Sequence, residues 1–216
     1  MTVIIINPNS TATMTEAMVN AAQRAVPELT FEGWTSFDGP PAIQGEADGI
    51  AATAPLLRLV KEADASGAHG IIIGCFDDTA LQEASALASC PVIGIGQAAY
   101  HYAALRNWRF SVVTTLAASV PVLEKNISAG GLGHILGKVR SSEVPVLALE
   151  ADPATALEKI LDQAAAAEKD DDADAVILGC GGMVHITEAA RAALKANVLD
   201  PLETAATCMR WLVAKV

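Results

Sequence analysis

Short runs of Val and Ile, apolar at nearly every position, alternate along the chain with longer Ala-rich stretches. An apolar run without alternation reads as a strand covered on both faces, and the stretches between read as helical crossovers, so the pattern predicts parallel sheets. The runs place strands at Val3–Ile6, Gly70–Ile73, Val92–Ile95, Phe110–Thr114, Val144–Leu149, Ala175–Leu178 and Ala196–Leu199, with a weaker one at Thr30–Trp34. Thr13 and Glu16 have capping-box spacing for the first helix, which Pro27 closes. Ile50, Leu57, Val60 and Ala63 mark one face of a second, in which Pro55 is the start or a kink. Pro153 opens a further helix, and the acidic stretch Asp170–Asp174 after it reads as a solvated loop rather than a metal site.

The chain also repeats itself. GIIIGCFDDTALQEA (70–84) aligns without gaps over AVILGCGGMVHITEA (175–189), so Cys75 and Cys180 lie 105 residues apart in equivalent places. VIIINPNST near the N-terminus parallels FSVVTTLAAS near residue 110. A period this long exceeds a solenoid unit and points to duplicated lobes facing one another. The class is α/β: two pseudo-symmetric lobes, each a mostly parallel four-stranded sheet flanked by helices. The N-terminal lobe is 1–96, joined by a C-terminal helix at 200–216, and the second lobe is 97–199.

Composition narrows the function classes. At 216 residues the chain can bury a full core, and 14 Lys+Arg against 25 Asp+Glu give a net charge of −11, which disfavours a nucleic-acid partner. No apolar run is long enough to span a bilayer, so no membrane partner is expected. The opening MTVIIINPNS has neither a basic leader nor a long apolar region, and the expected address is cytoplasmic. Four scattered cysteines (75, 90, 180, 208) suit reduced thiols, not a disulfide scaffold or a zinc site.

In open parallel sheets, ligands bind beyond the carboxyl ends of the strands. Asn7–Ser10, Cys75–Asp78, Thr114 with Thr115, and Cys180–Gly182 all fall there, and two facing halves bring them into one cleft. A cysteine near a helix N-terminus is expected to have a lowered pKa. Two opposed thiols suit racemisation without a cofactor: one sulfur removes a proton from one face of a carbon acid, and the other returns a proton to the opposite face. Main-chain N–H groups after each cysteine and the Thr114 and Thr115 hydroxyls would hold the enolate oxygen, while Gly181 and Gly182 admit a close approach. Cys90 and Cys208 read as packing residues.

The stretches INPNST (6–11), GPPAI (39–43), GCFDD (74–78), VVTT (112–115) and GCGGM (179–183) resemble the hydantoin racemase branch of the aspartate/glutamate racemase superfamily. That resemblance implies cofactor-independent, metal-free racemisation by Cys75 and Cys180. It further implies substrate contacts from Asn9, Ile43, Phe76, Asp77, Thr114, Thr115, Gly181 and Gly182, and a homo-oligomer. The expected substrate is a small molecule, a 5-substituted hydantoin or allantoin. Alternatives are an aspartate/glutamate-type racemase, a maleate isomerase, an arylmalonate-decarboxylase-like enzyme, or a binding module whose thiols only pack. Thr79 stands where the family usually has Pro.

Other patterns are weaker. GIGQAA (94–99) fits a loose dinucleotide fingerprint but lacks the acidic residue about 20 positions on. His69, His101 and His134 form no ligand spacing, His185 follows Cys180 by five positions, and Trp34 and Met183 read as core.

Overall fold

In the computed structural model, which describes residues 1–214, all but one of the apolar runs become strands. The first half runs β1 (Thr2–Asn7), α1 (Ala12–Ala25), β2 (Thr30–Thr35), α2 (Glu46–Ala65), β3 (Gly70–Ile73), α3 (Leu81–Leu87) and β4 (Val92–Gly94). Helix α4 (Ile95–Leu105) leads into β5 (Phe110–Thr114), α5 (Val120–Ala129), β6 (Leu136–Ser141), α6 (Ala148–Ala151) and α7 (Pro153–Asp170). β7 (Ala175–Leu178), α8 (Thr187–Ala193), β8 (Asn197–Leu199) and α9 (Pro201–Leu212) complete the chain; of the helix expected at 200–216, residues 215 and 216 lie outside the described residues.

Two sheets of four parallel strands result, ordered β2-β1-β3-β4 and β6-β5-β7-β8, the same topology twice. Every residue of β3 and β7 is buried, as expected for strands covered on both faces. One continuous core joins the halves: Val3, Ile5 and Ile72 from the first sheet and Phe110, Val112 and Ile177 from the second meet Met14 and Met18 of α1, Tyr100 of α4 and Met209 of α9. Outer cores lie under α2, with Ile4, Ile71, Leu56 and Val60, and under α7, with Val176, Leu178 and Ile160. Each fully buried aliphatic side chain of this kind contributes about 1.5–3 kcal/mol. α9 packs against α1 and α4 and reaches β3, returning the C-terminus to the first half.

Three sequence expectations are corrected. The run at Val144–Leu149 is not a strand: it crosses as a loop into α6 and still buries Val144, Val146 and Leu149. Pro145 lacks the N–H a ladder needs, and the sixth strand is instead Leu136–Ser141, a largely polar edge strand paired to β5 alone. Thr13 does not cap α1; the helix begins at Ala12, and the Thr13 hydroxyl donates to Glu150 Oε2 at 2.8 Å. Of the two places offered for Pro55, it takes the one inside α2. The acidic stretch is not simply solvated: Asp171 takes two bonds from Arg140, Nη2 to Oδ1 at 2.6 Å and Nε to Oδ2 at 2.8 Å, and a third from the Ser111 hydroxyl. Burial pushes the Asp171 carboxyl up, but these hydrogen bonds outweigh it and hold the group below its ordinary value.

Candidate active site

In both sheets the strand order reverses between the two central strands, β1/β3 and β5/β7, the place where open α/β sheets bind ligands. The chain leaves β3 and β7 in the same way: Gly74 N–H donates to Ile6 O at 2.8 Å, and Gly179 N–H to Val113 O at 2.7 Å. Each glycine is the first residue beyond its strand and is followed by its cysteine. Met18, fully buried on α1, lies under both turns. A Cβ on Gly74 would sit 2.6 Å from the Met18 sulfur, and one on Gly181 would sit 2.7 Å from Met18 Cε and 3.1 Å from Gly74 O. The two cysteine turns therefore abut, and a side chain at residue 181 would force them apart.

Between the turns lies a cavity of about 20 Å³. Of the ten residues expected at the site, Asn9, Ile43, Cys75, Phe76, Asp77, Thr114, Thr115, Cys180 and Gly181 line it. Gly182 does not: its N–H donates to Cys180 Sγ at 3.4 Å, and its missing side chain makes room for Leu149 and Met14. Met14, Ser119 and Val146 also line the cavity and were not singled out in the sequence. Ser119 ends the FSVVTTLAAS segment, so the repeat itself carried a signal for it. Val146 comes from the run expected as a strand.

Asn7, fully buried at the end of β1, organises the first wall. Its Nδ2 donates to Asn9 Oδ1 at 2.9 Å, Thr11 O at 3.1 Å and Thr15 Oγ1 at 3.1 Å, while its Oδ1 accepts Asn9 N–H at 3.2 Å. Asn9 Nδ2 is left toward Met14 at 3.5 Å, at the cavity. In the second half the Thr114 hydroxyl donates to Gly179 O at 3.1 Å, bracing the Cys180 turn. Phe76 turns its ring onto the edge of Tyr100, with centroids 5.4 Å apart. Three hydrogen bonds cross between the halves around the cavity: Thr13 to Glu150, Val146 N–H to Gln44 Oε1 at 2.8 Å, and Asn126 Nδ2 to Asp77 O at 2.8 Å.

The electrostatics correct the expectation of low-pKa thiols. Burial pushes Cys75 well above its ordinary value and the Asp77 carboxylate adds to it, against the Thr79 hydroxyl and the Asp77 N–H. Burial likewise raises Cys180, to about 11, against the Gly182 N–H. The helix ends offer little help, because α3 is seven residues long and starts at Leu81, and Cys180 caps only a 3-10 turn, Gly181–His185. Asp77 is itself pushed up to about 7, first by burial and then by Asp48. Both sulfurs hold protons at neutral pH, chiefly because they are buried and in smaller part because of Asp77.

His185 is exposed, Met183 is fully buried in the core, and Trp34 packs at the edge of the outer core under α2. Cys90 and Cys208 are half-buried free thiols packed against core clusters. No group of three or more His, Cys, Asp or Glu among the described residues is arranged to hold a metal ion, and no helix among them is long and apolar enough to cross a membrane.

The family model described as Asp/Glu/Hydantoin racemase matches residues 3–209. The chain belongs to that family. It is 38% identical to a hydantoin racemase of Rhizobium meliloti, over 95% of this chain and 86% of that one. Among solved structures it superposes on allantoin racemase from Klebsiella pneumoniae with a TM-score of 0.94 at 32% identity, covering 99% of this chain and 87% of that one. Allantoin racemase from Pseudomonas fluorescens gives 0.94 at 31% identity, covering 99% and 91%. The agreement over nearly the whole chain includes both cysteine turns.

Proposed function

We propose that this member of the family is a racemase of neutral cyclic amides, 5-substituted hydantoins including allantoin, working through Cys75 and Cys180. The observation that carries the reading is the pair of equivalent Gly-Cys turns, one from each half, facing a single cavity. One thiolate takes the Cα proton, and the C–H electron pair moves onto the adjacent carbonyl oxygen as an enolate. The opposite thiol gives its proton to the other face and becomes the thiolate for the return reaction. The exchange is balanced between two sulfurs and calls for no cofactor or metal. The Thr115 and Ser119 hydroxyls border the cavity where the enolate oxygen would need donors.

The lining also bears on substrate class. Among the described residues, those around the cavity include the carboxyl of Asp77 and no Lys, Arg or His. An amino acid, maleate or an arylmalonate would bring a carboxylate against Asp77 with no cation to receive it, at a cost that burial magnifies. A hydantoin is neutral and offers ring N–H donors. One of them given to Asp77 would favour its ionised form and hold the ring against the Cys75 turn.

We read the chain as two lobes, 1–96 with 200–216 and 97–199, supported by the two separate sheets and by the packing of α9 on α1. A cytoplasmic, reducing setting suits four free cysteines. A homo-oligomer suits the exposed Phe37, Leu105 and Trp211. Polarimetry on enantiopure 5-substituted hydantoins, allantoin, aspartate and glutamate, without added cofactor, tests the substrate. Racemisation of only the amino acids would refute the assignment. Cys75→Ser and Cys180→Ser should each abolish net racemisation while leaving Cα–H exchange in D₂O for one hand, opposite hands in the two variants. A single variant that racemises at near wild-type rate would refute the two-thiol mechanism.

A further inference from the structure

The most constrained side chain of the Cys75 turn lies just behind the cavity. Asp78 and Ala80 both hold left-handed backbone, with φ of 49° and 50°, a conformation Asp tolerates better than most residues and Ala poorly. Asp78 N–H donates to Cys75 O at 3.1 Å, and Leu81 N–H donates to Asp78 O at 3.1 Å, closing the turn on itself. The Asp78 carboxylate then reaches the start of α4, where Oδ1 accepts Gly96 N–H at 3.0 Å and the Gln97 N–H also points to it. The space is tight. A Cβ on Gly94 would collide with this carboxylate, and one on Gly96 would meet the Phe76 carbonyl and come within 2.9 Å of Asp78 Oδ2. The two glycines that mimic a dinucleotide fingerprint are thus the seat of Asp78.

The second half anchors its turn differently. The position equivalent to Asp78 is Met183, an apolar core residue. The carboxylate there belongs to Asp200, at the head of α9: Oδ1 accepts Leu202 N–H at 2.8 Å and Glu203 N–H at 3.1 Å, and Oδ2 accepts the Thr187 hydroxyl at 2.7 Å. Each half ties its cysteine segment to the start of a helix through a carboxylate, but only the Cys75 turn carries the carboxylate itself, three residues from the sulfur. Asp77 and Thr79 flank Asp78 in the turn, and the Thr79 hydroxyl is buried with no hydrogen-bond partner among the described residues.

We propose that Asp78 is a positioning residue for Cys75 and not for Cys180: by bonding back to Cys75 O and pinning the turn to the start of α4, it fixes the segment that carries the Cys75 sulfur. The inference rests on the two-thiol reading above, and its test separates the two. Cα–H exchange of enantiopure 5-substituted hydantoin in D₂O is followed by NMR in Cys180→Ser, where only Cys75 works, and in Cys75→Ser, where only Cys180 works. Adding Asp78→Ala should lower exchange by about 100-fold in the first, the cost of a misplaced reacting group, and by less than about threefold in the second. Asp78→Asn, which tolerates the left-handed backbone and keeps an oxygen for Gly96 N–H, should restore the first to within about fivefold of its parent. Gly94→Ala, which displaces the carboxylate from the opposite side, should reproduce the one-sided loss and replaces Asp78→Ala if that variant does not fold. Equal losses in both backgrounds, or no loss in either, would overturn the inference. If the single-cysteine parents exchange both hands alike, or neither, the two-thiol reading falls first and this inference with it.

Discussion

Asp78 also ties the fold to pH. Burial pushes its carboxyl up to about 8 from an ordinary 3.8, against the Gln97 and Gly96 N–H groups. Between those values the folded protein keeps a proton that the unfolded chain releases. Unfolding free energy therefore falls as pH rises, by about 1.4 kcal/mol per pH unit for one such group. From pH 5 to pH 8 this amounts to about 4 kcal/mol from Asp78 alone, a large part of the 5–15 kcal/mol that a typical domain has. Asp77, raised to about 7, acts in the same direction over a lower window, and the neighbours titrate as a coupled pair. Asp78→Asn keeps the shape but cannot titrate. Its stability should be close to wild type at pH 5 and should exceed it by about 4 kcal/mol at pH 8. Urea unfolding at pH 5, 6, 7 and 8, at one protein concentration and with m-values compared, measures both slopes. Parallel pH curves for the two proteins would show that Asp78 is ionised in the fold, with the start of α4 compensating its desolvation, and would refute the reasoning.

Three further outcomes are expected. Asp77→Asn removes a negative neighbour of both thiols, so the pH at which iodoacetamide alkylates Cys75 and Cys180 should move down; an unchanged profile would show that Asp77 is neutral beside them. Arg140→Ala leaves the half-buried Asp171 without its ion pair and should cost about 1–3 kcal/mol in urea unfolding while the turnover of folded protein is retained. Alkylation should abolish racemisation, substrate should protect, and EDTA should leave the rate unchanged; loss on chelation with recovery on adding a divalent cation would overturn the metal-free scheme.

The central strands were legible because burial on both faces writes an uninterrupted Val/Ile run, and the gapless repeat placed Cys75 and Cys180 at equivalent strand ends. β6 was not, since an edge strand with one neighbour need not be apolar, whereas the loop at Val144–Leu149 buries enough side chains to imitate a strand. Thr13 matched a capping pattern, yet its hydroxyl is engaged by Glu150, a partner 137 residues away that no local rule can find. The cysteine pKa values depend on burial and on Asp77, quantities set by packing rather than by position next to a helix. Asn7, Met18 and Asp78 support the site through contacts that become visible only once the turns are folded together.

The cavity between the cysteine turns has room for about one water molecule, less than any five-membered ring, and three hydrogen bonds tie its walls across the halves. A hydantoin ring needs more room than this, so on the function proposed above the walls must shift to admit it. If Cys75 and Cys180 are the two bases, a carbanion held between them has two sulfurs to draw a proton from. The characteristic failure of such an enzyme is then internal return, the proton handed back to the face it left, which is chemically silent and costs only time. Opening sets when the sampling stops, so added viscogen should slow turnover of hydantoin while leaving the ratio of deuterium retained to deuterium inverted unchanged.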